Sequence, residues 1–484
     1  METKAAHSPA NGRLDLSTKL YYGAGSVAFG VKDNGFSYML LLFYNQVVGL
    51  PATRVGLALM IALLFDAVID PLIGHVSDNF RSPWGRRHPF MYAAALPLAV
   101  CYVAIWNPPH WSPEALFYYL LTMAIVIRTF VSFYEVPSSA MAAEFSSSYD
   151  ERSVLLSYRY FFAWIGGLSI QLLAFSVLLK PDATHKVGQL NPAGYAQYGL
   201  VGAVVIFLAI LISAAGTHRH IGMLRAPPPK RELTLRQAGR EMAHTLFNRS
   251  FLFLLASSIA TAMAAGLGAS LNGYFNTYFW GFSAREISLF TAGVFLSAIL
   301  ALALAPQLSR RFGKRATAMT VMVLALAFGI VPLLLRLAGL FPANGTDQLV
   351  WTILGTSILG TTFGIVGSTM GASMIADVVE AAELTTGRRS EGVFFAASAF
   401  VSKSVSGFGI LAAASLIDFI GLKSGVDPSS MPPETIRSLA VFYCPLITAL
   451  YLTGLILLFG YRINRASHLE TLGQLGAVKA PVRG

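Results

Sequence analysis

Apolar residues in this chain come in long runs, separated by short breaks rich in charge, Gly and Pro. A helix needs about 20 such residues to cross roughly 30 Å of hydrocarbon, and stretches of that length recur almost from end to end. They predict helices near residues 20–46, 55–76, 89–106, 115–141, 154–179, 197–216, 251–280, 286–308, 317–338, 350–374, 392–417 and 436–461. The expected fold class is therefore an all-α membrane protein with twelve transmembrane helices.

The polar breaks divide the chain. The longest, His218 to Arg249, carries Pro227-Pro228-Pro229 and Lys230-Arg231, then an amphipathic stretch through Met242. It reads as a linker, with six spans before it and six after. The expected organisation is a polar tail over residues 1–19, a six-helix bundle over 20–217, a linker over 218–250, a second six-helix bundle over 251–461 and a second tail over 462–484. An internal repeat supports the division. The loop after the second span reads Phe80-Arg81-Ser82-Pro83-Trp84-Gly85-Arg86-Arg87, and the loop after the eighth reads Leu308-Ser309-Arg310-Arg311-Phe312-Gly313-Lys314-Arg315. An aromatic, a Gly and two cations stand at the same place in each half. Six plus six spans joined by a basic loop is the layout of the major facilitator fold, whose substrate site lies near mid-membrane.

Composition agrees. Hydrophobic residues make up 55% of the chain and charged residues 12%, against roughly 25% charged in soluble domains. Of the 35 Lys and Arg, four fall inside spans and seven in loops on one side, and the rest lie in the tails and the opposite loops. The positive-inside rule then puts both termini in the cytoplasm and the chain in a plasma membrane, expected to be a bacterial inner membrane. A basic cytoplasmic face against anionic lipid accounts for the net charge of +11 without nucleic acid. Residues 1–19 lack an apolar core before a small-residue cleavage site, so the first span is expected to be retained and not removed as a signal peptide. Cys101 and Cys444 fall within spans, with no disulfide framework and no metal-ligand spacing.

Charges at bilayer depth are costly, so those the chain keeps there are candidates for function. Asp66 and Asp70 are one helical turn apart on one face of the second span. On the fourth, Arg128, Ser132 and Glu135 fall within about 60° of each other. Grouped carboxylates and a hydroxyl supply hard oxygens to Na⁺, and a desolvated carboxylate pair also raises a pKa enough to hold a proton. The alternative is that these acids pair with Arg128 or Arg159 and only hold helices together.

Several segments together resemble the glycoside-pentoside-hexuronide:cation symporters, a melibiose permease-like family of the major facilitator superfamily. They are Lys19-Leu20-Tyr21-Tyr22-Gly23, Val47-Val48-Gly49-Leu50, Asp66-Ala67-Val68-Ile69-Asp70-Pro71-Leu72-Ile73-Gly74, and Arg81 to Pro89. Further along come Glu135-Val136-Pro137, Arg159-Tyr160-Phe161-Phe162, Ala376-Asp377-Val378-Val379-Glu380 and Lys403. The resemblance implies cation-coupled symport, driven by H⁺ or Na⁺, of a glycoside, sugar or sugar acid by alternating access, with a coupling-cation site at Asp66, Asp70 and Glu135 and Ser132 as a hydroxyl ligand. It also implies substrate contacts from a Lys-Asp pair on the first helix, here Lys32 and Asp33 about one turn out of register, and from Arg159; the depth of Lys403 and Arg128 in their spans makes them further candidates, and Glu135 is expected to link ion and substrate. Beyond the coupling cation no cofactor is expected, and the protein is expected to work as a monomer with a small-molecule substrate, its cation and membrane lipid as partners.

Two departures bear on specificity. The family often has an amide where this chain has Ile69, which favours H⁺ over Na⁺. Ser139 stands where the melibiose permease has a Trp, so a stacking platform for a pyranose is missing there. Lys32, Arg128, Arg159 and Lys403 favour a solute carrying a carboxylate, sulfonate or phosphate. The same fold and carboxylates in relatives that carry lysophospholipids leave an amphiphile as the alternative.

Rim charges are expected to form a cytoplasmic gate: Asp78, Arg81, Arg86, Arg87, Arg310, Arg311, Asp377 and Glu380, with Lys314, Arg315, Glu383, Arg388, Arg389 and Glu391 nearby. Tyr274, Phe275, Tyr278, Phe279 and Trp280 read as an interfacial aromatic belt near the outer face. An intramembrane protease is disfavoured, because both aspartates lie on one helix and no His-Glu-x-x-His or Walker-type loop is present. A sensor on a transporter scaffold lacks the large soluble domain it would need.

Overall fold

A computed structural model describes residues 14–146, 148–221, 248–386, 391–426 and 428–463, together with 467, 470, 471, 473 and 474. The described residues form helices and connecting turns, without strands. Helix α1 runs over residues 16–47 as a series of short segments. The others are α2 (Ala52–Asn79), α3 (His88–Ile105), α4 (Pro113–Phe145), α5 (Tyr149–Leu173, continued by a π turn Ala174–Leu178) and α6 (Pro192–His218). After the linker come α7 (Arg249–Tyr274, continued by a π turn Phe275–Phe279), α8 (Ala284–Phe312), α9 (Lys314–Leu337), α10 (Asp347–Thr386), α11 (Glu391–Phe419) and α12 (Pro433–Leu458). The amphipathic stretch expected through Met242, and Arg388 and Arg389, lie outside the described residues.

Eleven of these helices are individually long and apolar enough to cross a membrane. The first stretch differs from the plain helix expected there. Gly25 interrupts it, and Gly35–Met39 and Phe43–Val47 are π-helical. Side chains of large apolar residues point outward along many helices, Leu302 at 78% exposure and Leu96 at 61% among them. Facing water this would be unfavourable; facing lipid it is what a spanning helix needs. Local sequence starts the helices: Ser112, Ser148, Asn191, Asn248 and Ser283 each accept an N–H from the first turn of the helix that follows.

The chain separates into two compact units, one of residues 1–230 with 423–425, the other of 231–422 with 426–484. In the first, α1 crosses close to α5. A Cβ on Gly30 would lie 1.9 Å from the Ala163 carbonyl oxygen, so only glycine lets the backbones approach this far. The core at one end is aromatic, with Trp106 stacked on Tyr195 at 5.8 Å and Tyr102 donating to the Val31 carbonyl at 3.3 Å. In the second unit Phe251, Val321, Val366, Met374, Val378, Phe394 and Tyr461 share one buried cluster.

The repeat seen in the basic loops extends to backbone geometry. Gly85 and Gly313 both take positive φ, +73° and +80°. A second repeat went unread in the sequence. Phe43–Val47 ends α1 as a π turn before Gly49, and Phe275–Phe279 does the same before Gly281. The residues Tyr274, Phe275, Tyr278, Phe279 and Trp280 are all buried, at 8% exposure or less. They are therefore core and not the interfacial belt expected of them: Phe275 packs on Tyr443 at 4.8 Å and Trp280 on Phe341 at 5.7 Å.

Candidate functional site

Two groups of buried charge in the first unit are built on the middle of α4. In one, α2 supplies Asp66 and Asp70 and α4 supplies Arg128 and Ser132. Arg128 Nη1 donates to Asp66 Oδ2 at 3.2 Å. Ser132 Oγ lies 3.2 Å from Asp66 Oδ1 and 2.5 Å from Asp70 Oδ1. Asp66, Arg128 and Ser132 are buried and Asp70 is half-buried. Period 3.6 explains the meeting: positions 66 and 70 on α2 and 128 and 132 on α4 each stack one turn apart, so two stripes of two face each other.

A serine hydroxyl has a single proton, yet Ser132 Oγ touches a carboxylate oxygen of each aspartate. Ser132 can donate in only one of these two contacts. Pro71 follows directly and removes the hydrogen bond to the Ala67 carbonyl, and Pro137 does the same to Phe133 on α4. Each proline thus takes one helical donor away from a backbone oxygen close in sequence to the cluster.

In the second group Arg159 of α5 pairs with Glu135. Nη2 meets Glu135 Oε1 at 2.5 Å, and Nη1 donates to Ser138 Oγ at 2.8 Å. The guanidinium also stacks 5.3 Å from the Tyr22 ring. Glu135, expected to share the cation site with Asp66 and Asp70, makes an ion pair with Arg159, while its Oε2 is buried without a hydrogen-bond partner among the described residues.

Lys32 is buried and Asp33 exposed, and the two lie 3.6 Å apart. Lys32 Nζ lies 4.7 Å from the Phe29 ring and 5.9 Å from Phe36, and Arg128 lies 5.3 Å from the same Phe36. One aromatic ring thus faces two cations, a role the sequence reading did not assign to it. Lys403 belongs to the second unit, half-buried on α11.

Among the expected gate residues, Arg86 and Arg87 converge on Glu144 at 2.8 and 3.0 Å, and Arg87 also reaches Asp78 at 2.5 Å and Ser77 at 3.0 Å. In the second unit Lys314, not Arg310 or Arg311, pairs with Asp377 at 2.5 Å, and Tyr461 donates to the same carboxylate at 3.3 Å. Arg81, Arg310 and Arg311 are exposed and Glu380 is half-buried. Glu144 was missed. It ends α4 as Asp377 approaches the end of α10, so the internal repeat itself was the signal that would have found it.

A family profile described as MFS/sugar transport protein matches residues 21–465. The chain belongs to that family. Its relatives are membrane transporters and not enzymes. An uncharacterized symporter of Synechocystis sp. is 26% identical over 96% of this chain and 97% of its own length. The isoprimeverose transporter of Lactiplantibacillus pentosus is 25% identical over 84% and 82%. A sodium-dependent lysophosphatidylcholine symporter of Gallus gallus is 24% identical over 95% and 88%. Among solved structures, a bacterial homologue of the human drug peptide transporters PepT1 and PepT2 superposes with a TM-score of 0.61 at 15% identity, covering 96% of this chain and 99% of that one. At that identity the likeness speaks for the fold, which is the major facilitator fold.

Proposed function

We propose that this transporter is a cation-coupled symporter of a small polar solute, a glycoside, sugar or sugar acid, with Asp66, Asp70 and Ser132 as the coupling-ion site. The observation that carries the reading is the Ser132 hydroxyl held between two carboxylates inside the membrane-spanning region, 3.2 and 2.5 Å from their oxygens. Ser132 can donate to only one of the two carboxylates, and a proton held on the other carboxyl group would complete the second contact with no cage of further ligands. H⁺ is therefore the ion proposed, with Na⁺ the competitor. The basic loops set both termini in the cytoplasm.

For the solute, the pairing of the buried cations matters. Arg128 is engaged by Asp66 and Arg159 by Glu135. Arg128 and Arg159, so engaged, favour a strongly anionic solute less, and Lys32, Asp33 and the pairs just named suit hydroxyl groups or one carboxylate. The relation to the isoprimeverose transporter supports a glycoside. The second reading, a lysophospholipid, is supported by the relation to the Gallus gallus symporter and by Ser139 and Ile69, which leave apolar room where an aromatic platform and an amide are absent.

Counterflow in proteoliposomes decides among them. A panel of neutral glycosides, uronic acids and a lysophosphatidylcholine is run at fixed pH with and without Na⁺. Exchange of a glycoside or uronic acid without Na⁺ is the expected result; an absolute Na⁺ requirement defeats the proton assignment, and exchange of the lysolipid alone defeats the sugar assignment.

A further inference from the structure

Arg128 and Asp66 are each only 5% exposed, and the guanidinium stays charged at any accessible pH. Its Nη1 sits 3.2 Å from Asp66 Oδ2 while the Ser132 hydroxyl sits on the other oxygen, Oδ1, at 3.2 Å. The Phe36 ring lies 5.3 Å from the guanidinium carbon, and α4 fixes its Cα one turn from Ser132. A metal cation approaching both aspartates meets a fixed positive charge already bound to one of them, and at such distances in a poorly polarisable interior like-charge repulsion is large. A proton on Asp70 needs only one carboxylate oxygen and the adjacent hydroxyl.

We infer that Arg128 is a tethered counter-ion that occupies at Asp66 the place a Na⁺ would take and so sets the ion specificity of the site. Asp66 then serves to hold Arg128 and orient Ser132, and Asp70 with Ser132 is the seat of the single coupling charge. The inference rests on the reading of these aspartates as the coupling-ion site, and it assigns to one residue the choice between ions.

The test uses Na⁺ itself as the probe, on the purified full-length protein, so no substrate need be known. Thermal unfolding is followed as NaCl replaces choline chloride at constant ionic strength. The unaltered protein is expected to show no saturable shift. Arg128→Gln is expected to gain one, with half-saturation lower by about tenfold or more than any response of the parent, and to lose it when Asp66→Asn or Asp70→Asn is added. Arg128→His covers the case in which Arg128→Gln does not fold. The imidazole is neutral above and charged below a pH of about 6.5, so its Na⁺ response should be present on the alkaline side and absent on the acidic side. No gain of Na⁺ response in Arg128→Gln or in alkaline Arg128→His overturns the counter-ion role. A gained response that survives Asp66→Asn and Asp70→Asn lies elsewhere in the chain, and it overturns the ion-site reading beneath it.

Discussion

Glu135 on α4 and Arg159 on α5 meet at 2.5 Å, the carboxylate 31% exposed and the guanidinium 5%. Removing one partner of a fully buried pair costs about 3–5 kcal/mol, and the exposure of Glu135 lowers the figure to about 1–3 kcal/mol. Glu135→Gln is expected to lower the unfolding midpoint, and Arg159→Gln to do the same. Together they should cost less than the sum, by about 1–2 kcal/mol in a double-mutant cycle. Strict additivity would show that the pair is not energetically coupled. Because Arg159 is also a proposed substrate contact, Glu135→Gln should weaken both substrate affinity and ion dependence; binding unaltered in both would leave the pair a purely structural one.

The basic loops make the same bond twice. Arg86 reaches Glu144 at 2.8 Å, and Lys314, at the matching position after Gly313, reaches Asp377 at 2.5 Å. Glu144→Gln leaves the buried Arg87 with Asp78 and Ser77 and turns the acceptor it shares with Arg86 neutral, whereas Asp377→Asn leaves one lysine that is 31% exposed and can turn to water. The loss of stability should therefore be larger for Glu144→Gln, about 2–4 kcal/mol against about 1 kcal/mol. Chemical denaturation of the two variants in one detergent measures the difference, and equal losses would contradict the ranking.

How far the chain could be read follows from what each signal encodes. Runs of apolar residues specify spans, and twelve helical stretches lie where those runs are. The runs say nothing of hydrogen-bond register, so the π turns at Phe43–Val47 and Phe275–Phe279 had no signal in hydropathy. Helical angle correctly placed Arg128, Ser132 and Glu135 on one stripe of α4, but a stripe can face two neighbours. Ser132 meets α2, and Glu135, about 4.5 Å further along the axis, meets Arg159 of α5. Which neighbour claims an acid depends on packing of whole helices, as at the Gly30 crossing of α1 with α5. Tyr274 to Trp280 misled for a related reason: aromatics at a helix end are shared by interfacial belts and buried cores.

His220 follows α6 and packs at 3.3 Å from Thr18 Oγ1 and edge-on to Phe145. Burial, with Arg219 next to it, lowers its pKa from 6.5, while Asp15 acts weakly in the other direction. The folded protein therefore binds a proton here less readily than the unfolded chain does. The sign follows: below about pH 6.5 the unfolded state takes up protons the folded state refuses, so stability falls with acidification and is fully present above that pH. His220→Gln should flatten this part of the stability profile between about pH 5 and pH 7. Thermal unfolding of both proteins across that range measures it, and parallel profiles would assign the acid sensitivity to other groups.

Asp66 and Asp70 share Ser132 but not Arg128, so their amide variants should fail differently. Asp70→Asn removes the carboxylate closest to the hydroxyl, at 2.5 Å, and leaves the Arg128–Asp66 pair intact. It should fold normally and lose accumulation driven by a pH gradient while keeping exchange of substrate down its own gradient. Asp66→Asn instead strands a buried guanidinium, which costs about 3–5 kcal/mol in comparable pairs, and it takes one carboxylate from the cluster. Accumulation should be lost here too, together with a marked fall in thermal stability that Asp70→Asn does not show. Adding Arg128→Gln to Asp66→Asn removes both charges of the pair and should restore much of that stability, because an ion pair replaced as a unit is close to neutral. Proteoliposome uptake under an imposed pH gradient, read beside the unfolding midpoints of the three variants, checks the whole set. Full accumulation by Asp70→Asn would take the coupling charge away from that carboxylate, and a stable Asp66→Asn would show that Arg128 finds its compensation elsewhere.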